Sequence, residues 1–582
     1  MRSLLGIYRL NPDFDLKNTQ VVENCFVKDR NQDKLHSHGA GDFKIIQYEY
    51  FNDIQHIYKT PDSLLGFNGT IYPRCMPSDL PECSPDKLLN HVAETLIPED
   101  IETVKRFGGK YNLFYYNVKT NTLNLVNDRF GLQPMFYYCD NDVFMFCSDY
   151  EALAEYKDCK NNISREALME YLIFGAPQNN KTFLKDIRLL PPGSKVSCYK
   201  GLISFEHFYP NLDINNSADD LHEISYNYYN CFRREVNLML NWYPNVDITL
   251  TGGTDTRMIL GAMDEGLRGQ HQFMTFRYKL IPDEENQDII IARLLAKEFG
   301  LKHQVVERNF YSPQLMGENY FKGLRNTTTF FVSGYLGSET LRFSPSYPNN
   351  ISEITRKFIT NKSNSYLYNT TQDFIFHIEN SYAANKTLRI ANHGLNKLFN
   401  KSVFLNFNAY EEEIYRSISH VKNDFKELSY TGNYLIRSFF SRHCGGAKSN
   451  MLLPSVVNQY LFSPYALPDI LQIAWGINPK FLFSNNKGIS NYILKEFLPD
   501  FCGIPSNSHI TQHEGTVLKP LNQGRLAVDC FKFDYPASSQ FVTNDMFNSV
   551  FKTETIMSEY IIKNRQNHVW FDLKLWFDYM FR

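Results

Sequence analysis

The 582-residue chain lacks a basic excess, with a formal net charge of -3. Without a positive field it offers little to a nucleic-acid backbone, which excludes generic polyanion binding. Its 11 cysteines are scattered. No C-x-x-C pair and no His/Cys set at zinc spacing is present, which argues against a structural metal and for reduced thiols. No apolar run reaches the ~18 residues of a membrane-spanning helix. The apolar stretch within Met1–Tyr8 is too short for an export signal. The expectation is a cytoplasmic protein with no membrane span. A GxxxxGK[ST] phosphate loop and internal repeats are also missing.

What is present begins with strand signals. Lys44–Tyr50 alternates, and Tyr111–Val118 and Leu123–Val126 read as a hairpin joined by a Lys-Thr-Asn-Thr turn. Ser84-Pro85 opens a helix toward Leu96, and Pro98 opens a shorter one. Residues 1–205 therefore read as a layered α+β domain with antiparallel sheets. A polar connector covers 206–220, and a second unit runs over 221–582. There the period changes. A helix from Asp220 to about Trp242 leads to a strand at Val246–Thr249 and a helix at Met258–Met263. A strand at Gln272–Arg277, a helix at Asn286–Phe299 and a strand at His303–Glu307 follow. This alternation predicts a parallel, doubly wound sheet. Residues 350–582 read as mostly helical.

Between the strand at Val246–Thr249 and its helix lies Leu250-Thr251-Gly252-Gly253-Thr254-Asp255-Thr256-Arg257. Two glycines, flanking hydroxyls and a helix start make an anion cradle, because the backbone N–H groups point at the ligand. The alternative is a tight strand-to-helix turn with no ligand. In a doubly wound sheet this loop lies at the carboxyl ends of the strands, where ligands bind.

Several segments stand in one order: Leu5-Gly6-Ile7, Asn68-Gly69-Thr70-Ile71-Tyr72, Asp128–Tyr138, Phe174-Gly175, Phe183–Gly193 and Thr251–Thr256. Together they resemble the asparagine synthetase B-like family over residues 1–505. The resemblance implies an α+β N-terminal-nucleophile-type sandwich, homologous to a glutamine amidotransferase domain. An α/β parallel-sheet ATP pyrophosphatase domain with a helical C-terminal part would follow it. The departures are specific. Leu5 stands where the family has its nucleophilic cysteine, and four residues precede it. An N-terminal nucleophile needs its own free α-amine as base. Phe107-Gly108-Gly109-Lys110-Tyr111 carries no carboxylate where the family clamps glutamine. Asn68 and Gly69 resemble the oxyanion-hole pair, or simply make a tight turn.

For the second unit the resemblance implies a nucleotide site at Leu250, Thr251, Gly252, Gly253, Thr254, Thr256 and Arg257, with Asp255 on Mg²⁺ and Thr275 beside adenine. Arg257 would reach a phosphate or carboxylate, or else form a surface ion pair. Ser333 and Gly334 match the family's second signature, but Tyr335 replaces its glutamate. Glu339 is the candidate second metal ligand or catalytic base, or a helix cap. The family's catalytic lysine has no counterpart in place. Lys519 is the first available one and Lys487 another, a surface role being the default for both. The implied activity is an ATP- and Mg²⁺-dependent, AMP-forming carbon–nitrogen ligase that does not hydrolyse glutamine. It would couple a small-molecule or glycan carboxylate to ammonia or an amine. Candidates are a natural-product precursor or a surface-polysaccharide uronate. The reading leaves room for a homodimer. The alternative is an inactive nucleotide-binding or scaffold protein.

Overall fold

The structure is a computed structural model. It describes residues 2–28, 30–49, 57–74, 101–164, 166–167, 177, 180–209, 220–244, 246–277, 283–307, 331–334, 337–341, 461–477 and 488–506. The helix expected from Ser84 lies outside these residues, as does Phe174-Gly175.

Among the described residues twelve strands build the first half: β1 (Arg2–Arg9), β2 (Leu35–Ala40), β3 (Phe43–Glu49), β4 (Ile57–Lys59), β5 (Ser63–Pro73), β6 (Phe107–Asn117), β7 (Thr122–Asn127), β8 (Phe136–Cys139), β9 (Val143–Cys147), β10 (Ile187–Leu189), β11 (Ser194–Tyr199) and β12 (Leu202–His207). They form two six-stranded sheets, ordered β10-β8-β9-β1-β3-β2 and β12-β11-β7-β6-β5-β4, with antiparallel pairing throughout. The sheets pack through aromatic rings of Tyr8, Phe43, Phe114, Tyr116 and Phe146. Gly6 makes room for this layer, since a Cβ there would meet the Phe146 ring at 2.1 Å.

The expected hairpin is β6–β7. Alternation sends Phe114 and Tyr116 into the sandwich, while Leu113 and Tyr115 join a core shared with the second half. Both faces of β6 are therefore buried, which explains its nearly continuous run of large residues. The other side of that shared core comes from the helix Leu221–Trp242, capped by the Asp220 side chain on Glu223 N. The Tyr243 hydroxyl accepts from Ile71 N and donates to Ile71 O, each at 2.9 Å. Arg74 pairs with Asp469, and Arg234 bridges Asp469 and buried Glu235.

The second half carries β13 (Asp247–Thr249), β14 (Gln272–Arg277), β15 (Lys302–Glu307), β16 (Phe331–Val332) and β17 (Leu461–Phe462). All pair in parallel in the order β15-β14-β13-β16-β17. The chain goes from β13 outward to β15 on one side and then returns to β16 on the other. That reversal beside β13 is a topological switch point. The helix expected at Met258 starts earlier, at Thr254, and ends at Ala262. From residue 350 on, the described part adds a strand besides helices Pro468–Gly476 and Gly488–Phe497.

Candidate active site

The loop after β13 opens at this switch point. Leu250 anchors its entry: its N–H donates to Met274 O at 2.8 Å, and its carbonyl accepts from Thr275 Oγ1 at 2.6 Å. The loop then braces itself with its hydroxyls. Thr251 N donates to Thr256 Oγ1 and Gly253 N to Thr251 Oγ1, both at 3.1 Å. Gly253 is the N-cap of the helix Thr254–Ala262 and brings no capping side chain.

Asp255 is held from three sides. Its carbonyl accepts from the buried Tyr465 hydroxyl at 2.8 Å. A Cβ on Gly334 would lie 2.9 Å from Asp255 Cβ, and one on Gly337 would lie 2.6 Å from its Cγ. The two glycines of the second motif are thus spacers that let the Ser333–Gly337 segment close on Asp255. Ser333 is fixed by donating its N–H to Phe462 O at 2.9 Å. Burial, with smaller contributions from Cys231 and Asp255, pushes the Tyr228 hydroxyl well above its usual range.

Thr275 joins the loop's entry to the neighbouring strand. Its hydroxyl proton goes to Leu250 O, so His303 Nε2, 2.8 Å away, is the donor in their contact. Burial holds His303 below its ordinary value, which favours the neutral ring with its proton on Nε2.

Arg257 departs from both expectations. It is 2% exposed, so it forms no surface ion pair. Its guanidinium donates to the carbonyls of Phe501, Ile504 and Pro505, so it does not face the loop mouth. It ties the Pro499–Phe501 turn to the loop's helix, and burial lowers its proton affinity. Glu339 lies on the short helix Gly337–Leu341, but its side chain is outside the described residues, as are Tyr335, Lys487 and Lys519. Two neighbours of the loop escaped sequence reasoning: Asp288 and Tyr465. Gly252 N donates to Asp288 Oδ1 at 2.9 Å. The only sequence signal for Asp288 was an acid at the second position of a helix capped by Asn286, which ordinarily just complements the helix dipole.

Among the described residues no group of three or more His, Cys, Asp or Glu side chains could hold a metal by itself. Mg²⁺ does not need such a cage, because one or two carboxylates plus substrate phosphates suffice. Asp255 within a loop of backbone N–H donors fits that pattern.

The first half shows the opposite condition. Leu5 is fully buried in the middle of β1, paired with Ile46 on one side and Cys147 on the other. Asn68 and Gly69 are not in a turn. They lie inside β5, where Gly69 takes φ 100° and a Cβ would meet Lys110 O at 2.1 Å. Asn68 Oδ1 accepts from Gln133 Nε2 at 3.3 Å. Asp128 accepts from the N–H groups of Phe130, Leu132 and Gln133, and so shapes the loop that follows it. Burial pushes Asp128 up to about 6 and buried Lys110 down to about 8.

An antiparallel two-sheet α+β unit packed on a parallel α/β sheet with a glycine-rich loop at its switch point defines the class. A glutamine amidotransferase domain model matches residues 94–209, within the first unit. Asparagine synthetase [glutamine-hydrolyzing] 3 of Bacillus subtilis (strain 168) is 24% identical over 159 residues, 27% of this chain and 26% of that protein. A putative asparagine synthetase [glutamine-hydrolyzing] 1 of Methanocaldococcus jannaschii is 23% identical over 206 residues, 34% of each chain. The similarity thus spans only a quarter to a third of these curated relatives. The solved glutamine phosphoribosylpyrophosphate amidotransferase of B. subtilis overlaps at a TM-score of 0.24 and 10% identity, covering 57% of this chain and 74% of that one. That overlap is too loose to argue from. The domain match and the two synthetases support a divergent asparagine synthetase-like protein. Among the described residues no helix is long and apolar enough to cross a membrane.

Proposed function

We propose that the chain is an ATP- and Mg²⁺-dependent ligase that adenylates a carboxylate, releases pyrophosphate and passes the acyl group to ammonia or an amine. The observation that carries this is the switch-point loop. Gly252, Gly253, the Thr254 helix start and Asp255 lie together on this loop, and a departing pyrophosphate would take over the Gly252 and Gly253 N–H groups from their present acceptors, Asp288 and Thr251. Thr251 and Thr256 hold the loop in shape through their hydroxyls. Asp255 would hold Mg²⁺, which supplies charge neutralisation of the phosphates. Thr275 and Leu250 would border the nucleotide, and Ser333 and Gly334 would close the site over Asp255. Glu339 remains the candidate base or second ligand, and Lys519 the candidate stabiliser of the acyl intermediate.

The first domain on this reading does not hydrolyse glutamine. Leu5 offers no nucleophile, and its mid-strand place leaves no α-amine beside it. The amine then arrives free or on the acceptor substrate, a small molecule or a glycan. A second reading, a nucleotide-binding scaffold without turnover, is favoured by Tyr335 in place of the family's glutamate.

ATP–pyrophosphate exchange with a pool of carboxylic acids tests the proposal. Exchange is expected, with a loss of at least ~100-fold in Asp255→Ala. Absence of ATP binding by calorimetry with Mg²⁺ present would sink it.

A further inference from the structure

One contact at the loop is unexplained by the role just assigned to it. Gly252 N–H is a donor that a pyrophosphate would need, yet it already bonds a carboxylate, Asp288 Oδ1, at 2.9 Å. Asp288 is the second residue of the helix Gln287–Glu298, whose start is locked by Asn286 Oδ1 accepting from the N–H groups of Asp288 and Ile289. The carboxylate therefore reaches the loop from a rigid element. Arg257, the cation inside the loop sequence, is committed to the carbonyls beyond Phe501 and is not turned to this point.

We propose that Asp288 makes the loop select metal-complexed polyphosphate over free polyphosphate. A bare pyrophosphate approaching Gly252 brings negative charge against a fixed carboxylate, which is a repulsive element built against the wrong ligand. A divalent cation on the phosphates cancels much of that charge and is itself attracted to the carboxylate, so the repulsion at Gly252 is weakened. Asp288 holds Gly252 N–H in place and so fixes the direction of that donor. Asp288 is thus a positioning and specificity-determining residue, and this role rests on the nucleotide reading of the loop.

Calorimetry of pyrophosphate binding, with Mg²⁺ and with a chelator, tests the idea on the full chain. Wild type should bind Mg²⁺–pyrophosphate and discriminate strongly against the free anion. Asp288→Asn keeps an oxygen acceptor for Gly252 N–H but removes the charge. It should narrow the gap between the two forms by roughly tenfold. Asp288→Glu keeps the charge and should retain the gap. If Asp288→Asn does not fold, as checked by thermal melting, Asp288→Ser carries the same expectation. An unchanged gap in the uncharged variant overturns the proposal while leaving the ligase reading intact. Wild type that binds neither Mg²⁺–pyrophosphate nor MgATP overturns both.

Discussion

The two halves of this molecule treat their motif residues in opposite ways. In the first half Gly6, Gly69 and Asp128 serve the packing of sheets and loops. Leu5 is buried between two strands, and Gly6 is covered by the Phe146 ring. In the second half the loop's hydroxyls and Asp255 lie at the switch point of the parallel sheet. A motif by itself therefore reports a fold. Only the accessibility and direction of its groups report what it can do.

Several variants would break or sharpen that contrast. The largest effect is expected for Gly69→Ala, which places a Cβ at φ 100° and 2.1 Å from Lys110 O. It should cost more than ~3 kcal/mol, read as a large drop in melting temperature or loss of soluble protein. Gly337→Ala presses on a side chain, Asp255 Cγ at 2.6 Å. It should lower MgATP affinity at least ~10-fold by calorimetry while melting shifts little. If the two glycines swapped these phenotypes, the contrast would fall.

Arg257→Met strands three carbonyls and should cost about 2–4 kcal/mol of unfolding free energy. Intact stability with lost nucleotide binding would instead make Arg257 a phosphate ligand. Lys110→Met addresses a buried cation of the first half. Its folded-state value of about 8 lies below the ordinary 10.5. The folded state therefore loses that proton first, and stability should rise from pH 8 to 10.5 in wild type. Asp128, raised from 3.8 to about 6, acts with the opposite sign at lower pH, so its contribution falls as pH rises through that window. Lys110→Met should remove the alkaline rise and stabilise the protein at pH 7 by up to about 3 kcal/mol. The smallest effect is expected for Leu5→Cys. Glutamate release from glutamine should stay at background, because no carboxylate stands at Gly108 to clamp the substrate.

Much of this was legible in the chain. The strand at Gln272–Arg277 and the Leu221–Trp242 helix follow from local periodicity and from the Asp220 cap, signals that tertiary packing did not override. The loop was legible because two glycines between a strand and a helix leave few other conformations. Of the two alternatives for Asn68 and Gly69, the tight turn fails, since a glycine at positive φ inside a strand looks the same in sequence as a glycine in a turn. Arg257 was misread because nothing local distinguishes a guanidinium facing phosphate from one capping carbonyls of a segment 244–248 residues away.

The sequence by itself determined the order of elements, the change from antiparallel to alternating β/α structure, and the composition of the loop. These depend on periodicity and turn chemistry, which act within a few residues. Only the tertiary structure decided which groups meet: Asp288 on Gly252, Gly337 against Asp255, and Leu5 sealed between Ile46 and Cys147. Such contacts depend on how separate elements pack, and side-chain identity alone does not encode that distance or direction.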